Sequence, residues 1–394
     1  MKLLFGTGNP AKLDVMRRGL DGMHLEILGL KDMDRAAPPV AEDGRTPLEN
    51  ARQKALAYYR FYGIPVFSCD SGLYFDEVPG EIQPGVHVRT VQGKYLSDEE
   101  MVAYYGGLAS TYGDLTARYR NAICLVLDEN HIMESMDESL ASLPFLLTAK
   151  SHTRIRKEGF PLDSMSVQIR TGKYYYDLDE DALDEIALGD GFLEFFRRLE
   201  LLDVVDEQGE PTGETIERTL AHSQGIWHRT AHVWLLRRKA VSCPCSPGES
   251  GSAGVEILLQ KRSHTKDSFP GCYDISSAGH IPAGVDYVPS ALRELKEELG
   301  VEAMARDLYD CGKRYIQYEE EFYGCSFVDR QVSKVFYMWL DREPEDFTLQ
   351  AEEVEEVRWF DFQECLQLVE QNKIPHCIMM EELRMIQAAL SCQS

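Results

Sequence analysis

The run Arg293-Glu294-Leu295-Lys296-Glu297-Glu298-Leu299-Gly300-Val301 constrains this chain more than any other stretch. Glu294, Glu297 and Glu298 stand at i, i+3 and i+4, so a helix here projects three carboxylates from one face, about a turn apart. Like charges at that spacing cost a helix roughly 0.2 to 0.5 kcal/mol per pair, and a hard divalent cation with oxygen ligands offsets the repulsion. Leu292, Leu295 and Leu299 form an opposite, apolar stripe that seats the helix on a core, and Gly300 is placed to end it. The plain alternative is a solvated amphipathic helix, since Glu and Lys are good helix formers.

Taken from Gly279 to Val301, the segment resembles the signature of the Nudix hydrolases, G-x5-E-x7-R-E-U-x-E-E-x-G-U with U aliphatic. Every fixed position is met except the first glutamate, which falls on Val285 with Asp286 beside it. The resemblance implies that Glu294, Glu297 and Glu298 hold Mg2+ or Mn2+, that Arg293 belongs to the catalytic group, and that Gly279 lies on the substrate side. In the family the missing glutamate mainly braces the loop against the arginine; Asp286 is expected to brace Arg293 from one position over.

The leader from Leu201 to Leu236 and the approach LLQKRSHTKDSFPGCYDISSAGH resemble a Nudix subgroup that also includes the isopentenyl-diphosphate isomerases. Those isomerases use a cysteine in an Asn-Thr-Cys-type segment. Here Tyr273 to Ala278 stands in its place with Cys272 off position, which disfavours the isomerase. Lys261 and Arg262 end a strand entering the site and are candidates to meet phosphates, an exposed strand end being the alternative. His228, His232 and His280 read as satisfied structural histidines, with only His280, inside the box, open to suspicion. Glu352, Glu353, Glu355 and Glu356 sit where Nudix enzymes often place an extra base or metal ligand, although a solvated acidic turn is expected for most of them.

A chain of 394 residues suggests two domains of ordinary size. The alternation of elements predicts an α/β fold. Strands are expected at Lys2 to Phe5, Val66 to Ser68, Ala117 to Leu127 and Met133 to Met136, and helices at Ala11 to Leu20, Pro47 to Tyr62 and near Asp98 to Tyr105. Gly191 to Leu202 reads as a closing helix whose phenylalanines are core. A new unit then begins, with a turn at Asp206 to Gly209, a strand at His232 to Leu236, its hairpin partner at Val255 to Lys261, and a helix near Met379 to Leu390. The expected division is 1–200 and 201–394.

In the first half, Thr7-Gly8-Asn9 with Lys12 places backbone N–H groups at a helix start beside an ammonium, a plausible phosphate cradle. With Glu49-Asn50-Ala51, Lys54, Ser68-Cys69-Asp70-Ser71-Gly72-Leu73 and Pro84 to Arg89, the order resembles the inosine triphosphate pyrophosphatase family. That resemblance implies phosphate contacts from Thr7, Asn9, Lys12 and Lys54, a phosphate site lined by Ser71, and Glu42 and Asp70 holding magnesium or orienting water. It departs in three places. Cys69 stands where an acidic residue is usual. The Gly-aromatic-Asp-Pro segment reads Gly159 to Ser164. The base-reading turn falls on Leu188-Gly189-Asp190, with Asp184 for a lysine, so recognition of a 6-keto purine is expected to be lost and the fold could serve as scaffold only.

Charge limits the partners. With 41 basic and 66 acidic residues, a net −25, and no basic stripe, a nucleic-acid polymer is disfavoured. No apolar run is long enough for a membrane, and MKLLFGTGNPAK breaks at Gly6 and Gly8 before a signal-peptide core could form. Ten scattered cysteines suit a reducing, cytoplasmic compartment, with Cys243 and Cys245 in a loop rather than a zinc site. The expectation is thus an inosine triphosphate pyrophosphatase-like α/β domain, with a homodimer possible through it, joined to a Nudix α/β/α sandwich. Together they form a Mg2+-dependent hydrolase of small nucleotide or other diphosphate-containing substrates, a diphosphate isomerase or a noncatalytic nucleotide sensor being the alternatives.

Overall fold

The computed structural model describes residues 1–152, 160–179, 186, 189–239, 254–266, 268–322 and 325–392; Cys243 and Cys245 lie outside them. It divides into two compact units, Met1–Leu199 and Glu200–Ser394. Among the described residues no helix is long and apolar enough to cross a membrane.

The first unit is built on β1 (Lys2–Phe5), β2 (Glu26–Gly29) and β3 (Val66–Phe75), with β1 parallel to both others. A hairpin of β4 (Thr90–Val91) and β5 (Lys94–Tyr95) stands apart. The sheet continues antiparallel through β6 (Leu115–Val126), flanked by β7 (Ile132–Ser135) and by β8 (Phe145–Leu147), with β9 (Ser166–Gln168) at the far side. Helix α1 (Pro10–Gly19) begins at Asn9, whose side chain accepts from Ala11 N at 2.9 Å and from Lys12 N at 3.4 Å. Helix α2 (Pro47–Tyr62) begins with a Thr46 cap and a proline at N1, and stops at Gly63 with φ 69°.

Strand β3 runs well past the expected Ser68. The polar Cys69-Asp70-Ser71-Gly72 looks like a turn locally, but it pairs in register with Ile123 to Arg120 of β6. Gly72 is needed there, because a Cβ would come 3.2 Å from the backbone of Gly85. Helix α3 (Asp98–Tyr112) has a Ser97–Glu100 capping box, and α4 (Asp190–Arg197) buries Phe192, Phe195 and Phe196. Phe196 packs edge-on to Phe67, which stacks on Phe5 at 4.5 Å. The helix ends earlier than the sequence pattern suggests, since Leu201 already belongs to a strand.

In the second unit β10 (Leu201–Val205) and β11 (Pro211–Glu217) form a hairpin, followed by the short helix α5 (Arg218–Gln224). The main sheet is centred on β12 (His228–Arg238), with β13 (Val255–Arg262) antiparallel on one side and β17 (Cys325–Trp339) parallel on the other. β14 (Tyr273–Asp274) and β18 (Val354–Asp361) pair with β13, β15 (Ser277–His280) with β12, and β16 (Tyr309–Phe322) with β17.

Alternation along β12 sends residues to two cores. Ala231, Val233 and Leu235 pack with Ala291, Leu295 and Leu299 of α6 (Tyr287–Leu299). Trp234 and Leu236 pack with residues of α7 (Phe362–Glu370) and α8 (Met380–Ser391). The sheet is therefore sandwiched between helices. Leu292, expected in the apolar stripe of α6, is only half-buried, and Ala291 takes that place in the core.

One buried polar cluster ties α8 to the sheet. Glu382, 2% exposed, receives Arg314 Nη1 at 2.6 Å and Trp234 Nε1 at 3.0 Å, and lies 2.8 Å from His232 Nδ1. Burial opposes its ionisation, but the charges of His232 and Arg314 with these hydrogen bonds hold it down at about 2. Removing one partner strands the other charges in the core. We expect Glu382→Ala to destabilise the second unit by about 3 to 5 kcal/mol, measured as denaturant unfolding followed by tryptophan fluorescence, since all four tryptophans lie in that unit.

Candidate functional sites

In the second unit, α6 lies hard against β15. A Cβ on Gly279 would come 2.2 Å from Glu294 Cδ, so glycine is what admits the Glu294 carboxyl between strand and helix. Asp286 caps the helix by accepting from Tyr287 N at 2.7 Å, and Gly300, at φ 63°, ends it with its N–H on Lys296 O. The cap overturns the expectation that Asp286 braces Arg293. The Arg293 guanidinium instead pairs with Glu294, lies 3.9 Å from Glu297 and donates to His280 O at 3.4 Å.

The loop that lacks its family glutamate is braced from elsewhere. Arg229 Nη2 donates to Val285 O at 2.7 Å and to Asp203 Oδ2 at 2.7 Å, and Asp203 Oδ2 also accepts from Gly284 N at 3.0 Å. Ala283 N donates to Leu201 O at 2.8 Å. Val285 packs against the α6 core with its side chain and receives Arg229 with its carbonyl. A buried ion pair thus does by main-chain contact what a side chain in the loop would have done.

The three carboxylates differ in setting. Glu298 is 5% exposed and accepts from Ala278 N at 3.3 Å; Glu297 is exposed. Burial above all, with the charges of Glu294 and Glu353, pushes Glu298 up to about 8, against lowering by the Ser277 side chain and, less, by Lys266. Glu294 is raised too, by burial more than Arg293 lowers it. Glu353 comes to this group because residues 348–354 fold over the end of α6, where Gln350 N donates to Glu298 O at 3.0 Å. It is ion-paired to Lys266. An all-oxygen group with more negative charge than positive suits a hard divalent cation.

Of the other acidic residues, Glu355 pairs with Lys261 at 3.1 Å and Glu356 accepts from Tyr273. Arg262 does not stand open for phosphate: its guanidinium binds Asp274 at 2.9 Å and the Ser268 carbonyl at 3.0 and 3.1 Å. Lys266, which the sequence pattern did not single out, joins Arg293 as a cation at the carboxylates.

In the first unit a cavity of about 360 Å3 is lined by Lys12, Asp70 and Ser71 together with the rings of Tyr119, Phe145 and Phe160. Lys54 Nζ reaches Asp70 Oδ1 and Glu42 Oε2, each at 3.0 Å, and Asn50 Nδ2 donates to Asp70 Oδ2 at 2.9 Å. Asn9 Oδ1 is occupied by the α1 cap, and Thr7 Oγ1 accepts from Asn9 N, so both shape the turn. Lys12 is lowered by burial and by the Lys54 charge.

Burial pushes the Cys69 thiol up to about 12, so it brings no charge where the resembled family has a carboxylate. With one lysine bridging Glu42 and Asp70, half of the pair's negative charge is already offset. Gly159, Asp184 and Leu188 lie outside the described residues. Asp190 opens α4 with an exposed side chain and is not among the described residues lining the cavity, whereas Asp163 is.

Fold and sites define a two-unit α/β protein with a lysine–carboxylate cavity in one unit and a carboxylate helix over a mixed sheet in the other. Residues 3–140 match the Ham1 family and residues 236–379 match the NUDIX domain; the chain joins a Ham1-family unit to a Nudix unit. It is 34% identical over 39% of its length to an uncharacterised Nudix hydrolase of Clostridium acetobutylicum, of which it covers 66%. It is 44% identical over 22% of its length to a dITP/XTP pyrophosphatase of Anaeromyxobacter dehalogenans, of which it covers 36%. The chain thus spans less than two thirds of the length of either relative. A HAM1 protein structure from Coxiella burnetii aligns with 50% of this chain and 97% of its own, at 20% identity and a TM-score of 0.42.

The burial of Glu298 has a pH signature. Its pKa in the folded protein is raised from 4.5 to about 8, so the metal-free fold loses stability as pH rises through that window, because the unfolded chain ionises first. Glu298→Gln cannot ionise and should flatten this loss. Thermal unfolding with chelator, from about pH 5 to pH 9, compares the two slopes.

Proposed function

We propose that the second unit is a Nudix-type pyrophosphohydrolase acting on nucleoside diphosphate-linked or triphosphate substrates, in the cytoplasm, where it would remove unwanted nucleotides. The observation that carries this reading is the packing of Glu294 against Gly279, with Glu298 on the neighbouring Ala278 N and Glu353 close enough to act on its charge. Mg2+ held by Glu294, Glu297 and Glu298 would neutralise a diphosphate and lower the pKa of bound water. Lys266 and Lys261 stand at the same end of the sheet to receive phosphate oxygens. Arg293 orients Glu294 through their ion pair, and the base that takes the water proton is assigned to this carboxylate group, from which Glu298 and Glu353 are the buried and half-buried candidates. Cys272 stands off the position of the isomerase cysteine in the sequence, which favours hydrolysis over isomerisation.

Glu298→Gln keeps the shape of the side chain and removes a ligand charge. We expect Mg2+-dependent hydrolysis to fall by at least about 100-fold, read as phosphate and pyrophosphate release from a nucleotide panel. Full activity in that variant overturns the assignment.

For the first unit we propose triphosphate binding at the cavity, by Lys12, Lys54 and Ser71, with Asp70 ordering water and little discrimination between bases. The lysine shared by Glu42 and Asp70 and the neutral Cys69 support a weakened metal-dependent activity. With Glu297→Gln and Glu298→Gln together silencing the second unit, ITP and XTP should be preferred over ATP and GTP by less than about 100-fold. A larger preference in pyrophosphate release would show that another segment reads the base.

A further inference from the structure

The loop that leads into α6 is held by the start of the second unit. Ile281 N donates to Arg229 O at 3.0 Å and Ala283 N to Leu201 O at 2.8 Å, with Leu202 in an antiparallel bridge to Pro282. Gly284 N donates to Asp203 Oδ2 at 3.0 Å, and Arg229 Nη2 donates to Val285 O at 2.7 Å. The Arg229 guanidinium also lies 5.2 Å from the ring of Tyr287, which opens α6, and Lys313 Nζ lies 5.6 Å from the same ring. Each residue from 281 to 285, and then 287, is thus tied to β10, β12 or β16 before α6 completes its first turn.

Main-chain bonds alone would close this loop; the buried charges call for a separate reason. Asp203 is 8% exposed and Arg229 6%, and taking such a pair out of water commonly gains nothing over apolar residues of the same volume. Geometry is what apolar residues would lack. Arg229 Nη2 donates twice, to Asp203 Oδ2 and to Val285 O, each at 2.7 Å, while the same Oδ2 takes Gly284 N. One planar guanidinium therefore joins β10, β12 and the loop at a single junction.

The consequence falls further along α6. A Cβ on Gly279 would come 2.2 Å from Glu294 Cδ, and Glu298 accepts from Ala278 N at 3.3 Å. Contacts this close leave no slack. A helix free to slide along β15 would take Glu294 out of the space at Gly279 and Glu298 off Ala278.

We propose that Asp203 and Arg229 are positioning residues for the metal-binding carboxylates: they fix where α6 starts, and so where Glu294 and Glu298 meet β15, without touching ion or substrate themselves. This role rests on the reading of α6 as the metal helix.

The test compares Arg229→Lys with Arg237→Lys in the full chain. Lysine at 229 keeps the charge opposite Asp203 but ends one bond short of Nη2, so the Val285 contact is lost. Arg237, paired with Glu256 at 2.6 Å toward the other end of β12, serves as the control. In the chelator-stripped chain, amide hydrogen exchange over residues 281–287 and at Ala278 should accelerate at least about 10-fold in Arg229→Lys and stay unchanged in Arg237→Lys. Mn2+ affinity, read by electron paramagnetic resonance, should weaken by roughly 10- to 100-fold in Arg229→Lys alone of the two. Asp203→Asn, which keeps the shape of the side chain, should give the same two changes, and the double variant should be no weaker than the worse single one, because the pair acts as a unit. The role is refuted if folded Arg229→Lys or Asp203→Asn exchanges and binds Mn2+ as the wild type does, or if Arg237→Lys shifts both as far; where one of the pair does not fold, the other carries the comparison. Glu298→Gln marks the separate failure of the metal reading: if it binds Mn2+ as tightly as the wild type, α6 is not the metal helix, and the exchange rates still decide what Asp203 and Arg229 hold in place.

Discussion

The second unit depends on how closely one helix approaches one strand. Because Gly279 has no side chain, α6 settles onto β15 until the Glu294 carboxyl occupies the space a Cβ would fill. The rest of the site follows from that contact. Glu298, a turn further along, is carried under the loop of residues 348–354, and Glu353 arrives with it. The helix can stand so close only because its apolar side, Ala291, Leu295 and Leu299, meets matching residues of β12. The dehydration that raises Glu298 and Glu294 is thus a by-product of good packing, and a cation would be bound by groups already held in place.

Much of the carboxylate helix was legible because its information is local. The i, i+3, i+4 spacing and the Gly300 stop are set within a few residues of one another. The caps were not read: Asp286 was expected on Arg293 and Asn9 on phosphate, whereas each caps its own helix. What sequence reasoning missed is distributed. Nothing near Val285 indicates that Arg229 supports the loop, since the bond joins residues 56 apart. Arg262 looked like a phosphate contact from its place at a strand end, but whether it meets solvent or Asp274 depends on how β14 pairs with β13. Strand β3 was cut short at Ser68 because Asp70, Ser71 and Gly72 have weak strand preference, which pairing with β6 overrides.

The two units treat their carboxylates in opposite ways. In the first, a lysine sits between Glu42 and Asp70 and offsets one of their two charges, with Cys69 adding none. In the second, negative charge is concentrated and left in excess. This electrostatic difference makes the second unit the better candidate for metal-dependent chemistry.

The Glu382 cluster bears on the order in which the second unit can be completed. His232, Trp234 and Arg314 all wait for one carboxylate, and His232 lies 150 residues before it. As the chain leaves the ribosome, β12 emerges first, and its polar groups remain without that partner until α8 has been made. Native closure of this core is therefore a late event with high contact order, and a nascent chain stalled before residue 382 would present an incompletely neutralised sheet face to the folding machinery of the cell.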